Sequence, residues 1–381
     1  NTLKAQLAEQ SDVSELVRAE LDSAIEAKGL AQVKDMGPVI QLPKQVEGLK
    51  IQGDLRLRYE RRITDNDAIA ANETNQDRFR TRFRIGAIWQ TTDGWEIGAG
   101  LATGDNNTAT STNDTWSSNA VFETGNIWLD YAYAKHTWKC YSVIVGQSPN
   151  PFKSSFLLWD SDLRPIGVTG QYQMDGLFAI VGWYDVRDPG ADEDLAQMIA
   201  GQIGYEMDVE GMDMLMAAAY YHFNDATSSA LGAASDVSYD VVDLYVKASM
   251  PLEDMTLSAY GEVWKNFTGD GNVGDGQLGG TIDPEGNDLG WVLGVGAEMG
   301  KFTVDYAYGR VESDSFPGVL KDADFGATAG VNNTNVKGHK LQLGYQLTEN
   351  MSVNGTMLDL NGIEGQTQDG KLYQIDMNYK F

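Results

Sequence analysis

The stretch Arg78-Phe79-Arg80-Thr81-Arg82-Phe83-Arg84-Ile85-Gly86-Ala87-Ile88-Trp89 alternates with a period of two. In an extended strand Arg78, Arg80, Arg82 and Arg84 share one face, while Phe79, Phe83, Ile85, Ala87 and Trp89 share the other. Four like charges along one strand face repel one another. Such a ladder is stable where water and counter-charges surround it and the opposite face meets an oily phase. The wall of a water-filled barrel in a membrane meets both conditions.

The chain has 381 residues, enough for two ordinary domains or one large barrel. It contains no run of about 18 apolar residues, so no transmembrane helix is expected. No signal peptide opens it, and Asn1 reads as a mature end. A net charge of −27 argues against nucleic acid as a partner. Cys140 is the only cysteine, which excludes an internal disulfide and a CxxC site.

Outward from the ladder, two regimes are visible. Residues 1–37 carry Leu3, Leu7, Val13, Leu16, Val17, Leu21 and Ile25 at helical spacing, and Gly37-Pro38 ends them. This α-helical segment suits a coiled coil, a plug or a periplasmic tether. Residues 38–48 read as a linker, and 49–381 as the barrel. In the first strand Ile51, Leu55, Leu57 and Tyr59 oppose Gln52, Asp54, Arg56, Arg58 and Glu60. Ile127, Leu129, Tyr131 and Tyr133 are expected to point outward from the fourth strand, with a turn near Thr137. Aromatic girdles are expected from Trp89, Trp95, Trp291, Tyr306 and Tyr308 together with Tyr131 and Tyr133. The spacing predicts an all-β, antiparallel transmembrane barrel of about sixteen strands, with seven short turns alternating with eight longer loops. Segment 148–165 breaks the rhythm with three prolines and an apolar cluster of Phe152, Phe156, Leu157, Leu158 and Trp159. A loop this apolar packs against something. The final strand alternates Tyr373, Ile375, Met377, Tyr379 and Phe381, and the chain stops on Phe381. Tyr379 and Phe381 resemble the signal read by the outer-membrane assembly machinery.

On the basic first strands, on Asn150-Pro151-Phe152 followed by Leu157-Leu158-Trp159-Asp160 and Asp162, and on the terminal Tyr379-Lys380-Phe381, the chain resembles the bacterial porins, in particular the putative-porin family of Gram-negative bacteria. The resemblance implies a homotrimer in the bacterial outer membrane, a third loop folded into the lumen, and passive passage of small hydrophilic solutes. The third-loop motif of enteric porins is absent. Partners expected on this reading are outer-membrane lipid and lipopolysaccharide, the assembly machinery and further copies of the chain. A closed structural or adhesive barrel and a substrate-specific channel are the alternatives.

Sixteen strands enclose an aqueous channel, so function is sought in the lining. Arg56, Arg58, Arg78, Arg80, Arg82 and Arg84 face inward on two adjacent strands in this register. With the third loop folded in, Asp160 and Asp162 would oppose them across a narrow gap, flanked by Lys153 and Arg164. The bland alternative makes the arginines struts, paired with Asp54, Glu60 and Asp77. No cofactor is required, although Asp270 and Asp275 in a Gly/Asp-rich loop offer oxygen ligands for a structural calcium. His136, His222 and His339 stand far apart and no GxSxG or HExxH occurs, so no enzyme is expected.

Overall fold

A computed structural model describes residues 48–66, 73–105, 109–187, 196–224, 239–268, 287–363 and 368–381. The predicted helix 1–37, the linker up to Glu47 and the loop with Asp270 and Asp275 lie outside the described residues. The chain divides at Glu47, and the unit described below is Gly48–Phe381.

Sixteen strands form the wall among the described residues. They are β1 (Leu49–Asn66), β2 (Thr74–Gln90), β3 (Trp95–Thr103) and β4 (Ile127–Trp138). Next come β5 (Tyr141–Gln147), β6 (Ile166–Met174), β7 (Leu177–Arg187) and β8 (Ala196–Val209). β9 (Met212–Asn224), β10 (Tyr239–Leu252), β11 (Met255–Asn266) and β12 (Leu289–Met299) follow. β13 (Phe302–Val311), β14 (Val336–Gln346), β15 (Met351–Gly362) and β16 (Gln368–Lys380) complete the order. A further two-residue strand, Asp114–Thr115, pairs with Arg80 and Thr81 from inside a loop.

Each strand pairs antiparallel with its sequence neighbour, and β1 pairs with β16, which closes the sheet. Closure matters because an open sheet edge in lipid leaves backbone groups without partners. The seam ends where Gly53 and Phe381 exchange two backbone hydrogen bonds, 2.9 and 3.0 Å long. A Cβ on Gly53 would meet the Phe381 ring at 2.5 Å and the Arg84 carbonyl at 2.4 Å. The terminal aromatic therefore lies over a residue that has no side chain. Short turns alternate with long connections as the sequence predicts. Asp175-Gly176 and Glu210-Gly211 take positive φ at both positions, the geometry that matches strand twist in a two-residue hairpin. The turn expected near Thr137 falls at Lys139-Cys140 instead, with Lys139 at φ 55°.

Strand β4 departs from the expected register. A bulge opposite Gly100 and Leu101 gives β4 one extra residue, Asp130. Ile127 and Leu129 stay outward, 62% and 56% exposed. After the bulge the parity inverts: Tyr131 pairs with Gly100 and Tyr133 with Gly98, both on the lumen side. Tyr131 and Tyr133 therefore point inward and are not part of a girdle. A strict period of two hides a bulge, because one inserted residue flips every side chain beyond it. Gly86, Gly98 and Gly100 make room for the two rings, whose atoms come within 2.4 Å of where Cβ atoms would stand.

The outer face is apolar, with Ile375, Leu293, Val295 and Val181 more than half exposed. At the turn side it carries aromatic pairs: Phe302–Tyr345 at 4.7 Å, Tyr141–Tyr172 at 5.1 Å and Trp95 against His136 at 4.8 Å. Trp89, Trp291, Tyr306 and Tyr308 keep the outward face, as expected. The inner face holds the larger surprise. The inward rows of β7 to β16 carry Tyr184, Tyr221, Phe223, Val241, Trp264, Val292, Leu358, Leu360 and Leu372, each at most 2% exposed. Water does not fill this half of the lumen. Two loops do, 148–165 through Leu157, Leu158 and Trp159, and 312–335 through Phe316 and Phe325. Fully burying one such side chain is worth about 1.5–3 kcal/mol.

Replacing Gly53 with Leu should push Phe381 off the seam, an overpacking cost of about 1–3 kcal/mol. The fraction of refolded chains that migrate as compact barrels on unheated SDS gels is expected to fall. Gly355→Leu is the control, since nothing lies within 4 Å of a Cβ there.

Candidate functional site

The paired strands β1 and β2 set Arg58 opposite Arg80 and Arg56 opposite Arg82, so the six arginines form one wall. Their outward neighbours anchor that orientation; the Tyr59 and Phe79 rings meet, tilted, at 5.3 Å on the other face. Arginines this close need counter-charge, because a buried unpaired guanidinium is costly. The supply comes from both sides. Within the wall, Arg58 makes a two-pronged contact with Asp376, Nε to Oδ1 at 2.7 Å and Nη2 to Oδ2 at 2.8 Å. Asp54 accepts from Arg82 at 2.9 Å and from Arg84 at 2.8 Å. Glu60, fully buried, is paired with Arg78 and lies 3.7 Å from both Arg58 and Arg80.

From the lumen side, three loops reach the wall. Loop 104–126 brings Asn113, whose Oδ1 accepts from Arg56 at 2.5 Å, and Asp105, 3.7 Å from Arg80. Loop 148–165 brings Asp162, 3.2 Å from Arg84. Loop 312–335 brings Asp324, 3.4 Å from Arg58. The loops also hold one another. Thr112 donates its N–H and hydroxyl to Asp162 at 3.2 and 2.9 Å. Asp160 donates its N–H to the Leu320 carbonyl at 3.0 Å and accepts from the Ala323 N–H at 3.1 Å. The third loop is fixed at its far end as well. Gln202 bonds both the N–H and the carbonyl of Lys153, each at 2.8 Å. Glu262 accepts from the Ser155 N–H at 3.2 Å.

The candidate residues are therefore brought together in part. Asp162 touches the arginine wall directly. Asp160 does not; it faces loop 312–335. Lys153 pairs with Glu206 at 3.6 Å and Arg164 with Asp130 at 3.3 Å rather than with a ladder residue. Asp77 lies on the outer side of the wall, bonded to Tyr59 at 2.6 Å. The histidines take no part in this network. His136 lies against Trp95, His222 bonds Asp240 and His339 bonds Tyr306, all on the outward face. Asp105, Asp130, Asp324 and Asp376 belong to the site without having been singled out from the sequence. Loop 312–335 announced itself by Phe316, Leu320, Phe325 and Val331, the same apolar signal that marked 148–165.

Electrostatics in the loops follow from burial and neighbours. Burial opposes ionisation of Asp162, but Arg82, Arg84 and Arg56 outweigh it and hold the carboxyl below its usual range. Asp324 is likewise lowered against its burial, by Arg58 and a hydrogen bond from Gln374. Among the described residues no arginine pairs with Asp160; burial and the Asp322 charge push it up to about 8. Burial pushes Lys321 down to about 8.

A closed antiparallel barrel with an apolar belt outside and charged loops inside defines an outer-membrane channel protein. A model of the family described as "Putative porin" matches residues 63–235 and 226–381, and the chain belongs to that family, in the bacterial outer membrane. Among solved structures, Pseudomonas putida OprB superposes with a TM-score of 0.59 at 12% identity, over 88% of this chain and 94% of that one. A variant of Rh. blastica porin superposes with a TM-score of 0.51 at 15% identity, over 87% of this chain and all of that one. At such identities the likeness speaks for the fold. A comparison with curated protein sequences finds no match.

The raised carboxyl of Asp160 has a consequence with a definite sign. Docking gains from its neutral form below the ordinary carboxylate range near 4, and loses that gain as pH rises through about 8. Amide exchange in 316–325, corrected for intrinsic rates, should therefore be faster at pH 8 than at pH 5. Asp160→Asn should shrink the difference, the remainder belonging to Asp322 and Lys321 in the same segment; equal protection at both pH values in the wild type would contradict the assignment.

Proposed function

We propose that the protein is a passive channel for small hydrophilic solutes, narrowed where loops 104–126, 148–165 and 312–335 meet the arginine wall. The observation that carries this reading is the convergence of three loops on one ladder: Asn113, Asp162 and Asp324 each contact an arginine at 2.5–3.4 Å. The third loop enters the lumen, and the ladder faces it. The wall is charge-compensated, so the arginines act as struts and as lining at once. Five of the six arginines form ion pairs with Asp54, Glu60, Asp105, Asp162, Asp324 and Asp376, while Arg56 bonds Asn113. A loop plug of this extent supports a narrow, selective pore over a wide one.

Association into trimers fits the uneven wall. β1 and β2 run for 18 and 17 residues, but β5 has only 7. Seven residues at 45° tilt rise roughly 16 Å, short of an apolar band about 25 Å tall. Above Gln147, β4 residues 127–131 have no strand partner on the β5 side among the described residues. A second copy covers such a sector without exposing backbone to lipid. The even strand number puts Leu49 and Phe381 on the short-turn side, which is the periplasmic side in this family of folds.

In planar bilayers the purified protein should give steady single-channel openings, and silence under all voltages would favour the closed structural barrel. Replacing Arg80 and Arg82 together with Ala leaves Asp54, Glu60 and Asp105 under-compensated. The reversal potential in a salt gradient should move toward cation preference; an unchanged potential would defeat the role given to the wall.

A further inference from the structure

Two chambers share one ion pair. The first, about 260 Å³, lies where loop 148–165 leaves the wall and is lined by Trp159, Leu163, Tyr184, Phe223 and Asp162. The second, about 440 Å³, lies toward the turn side against Asp54, Arg84, Tyr131 and Tyr133. Asp130 and Arg164 line both. They stand 3.3 Å apart, Arg164 Nε to Asp130 Oδ1, with side chains 13% and 7% exposed. The pair crosses from the wall to the inserted loop. Asp130 is the extra residue of the β4 bulge, and bulges serve to re-aim side chains at functional positions. Arg164 is braced from behind by its own loop, donating to the carbonyls of Ser161 and Leu163 at 3.0 and 3.1 Å.

We propose that solutes cross through these two chambers, and that Asp130 and Arg164 are the selectivity site between them, suited to small zwitterions with an apolar group, the class of an apolar α-amino acid. This rests on the channel reading above. The charge pattern supports it. Asp130 faces Arg164 and Asp162 faces Arg84, so a net ion of either sign gains little from the path. A zwitterion replaces the pair it separates, its carboxylate on the guanidinium and its ammonium on the carboxylate. The aromatic lining of the first chamber takes the apolar group. No bond is made or broken in the passage.

Liposome swelling with L-leucine and with erythritol, a neutral solute slightly smaller than leucine, tests this. Leucine should enter several-fold faster through the wild type. Asp130→Asn keeps the side-chain shape, and Arg164→Gln replaces the guanidinium with a shorter neutral amide; each should bring the ratio toward one, while gel mobility confirms a folded barrel. Equal entry of both solutes through the wild type, or a ratio that neither variant moves, overturns the selectivity site. Absence of swelling with either solute overturns the channel reading itself, and this proposal with it.

Discussion

A guanidinium inside a protein must be met in its plane by acceptors, and the wall strands β1 and β2 place six of them side by side. Their own neighbours supply only part of what is needed. Asp54, Glu60 and Asp376 occupy the inward positions between and beside the arginines, and each is already shared or saturated. The remaining acceptors come from across the lumen. That requirement draws three loops inward and fixes where they stop: Asn113 on Arg56, Asp162 on Arg84, Asp324 on Arg58.

The opposite half of the lumen solves the complementary problem. Loops that carry Leu157, Leu158, Trp159, Phe316 and Phe325 cannot remain in water, and the inward rows of β7 to β16 present the apolar surface that receives them. The ring contacts are specific, with Trp159 against Phe316 at 5.0 Å and Phe152 against Tyr221 at 5.2 Å. The interior is therefore two-sided, a packed apolar plug beside a compensated charge wall. Two chambers lie past the bulge of β4, where Asp130 and Arg164 line both.

Much of this was legible in the chain. Alternation from Leu49 to Phe381 carries the barrel, because lipid on one side leaves no freedom in the parity of Ile375 or Leu293. The inward direction of Arg56 to Arg84 follows from the same parity. Three things were not legible. The bulge at Asp130 leaves no mark in a pattern of Leu129, Tyr131 and Tyr133, all of which suit either face. The apolar inward residues Trp264 and Leu358 look like ordinary members of a strand until a loop is seen to cover them. The partners Asp324 and Asp376 lie 266 and 318 residues from Arg58, a separation that no local spacing encodes.

Which side chains meet lipid, plug or water is the claim on which the whole account stands. Reactivity of single thiols in vesicles, in a Cys140→Ser background, measures it. Leu293→Cys should react with a lipid-soluble maleimide and not with a charged one, and Leu358→Cys with neither until the barrel is unfolded. Rapid modification of Leu358→Cys by the charged reagent in the folded protein would mean that water fills the lumen where loops 148–165 and 312–335 are placed, and would contradict the account.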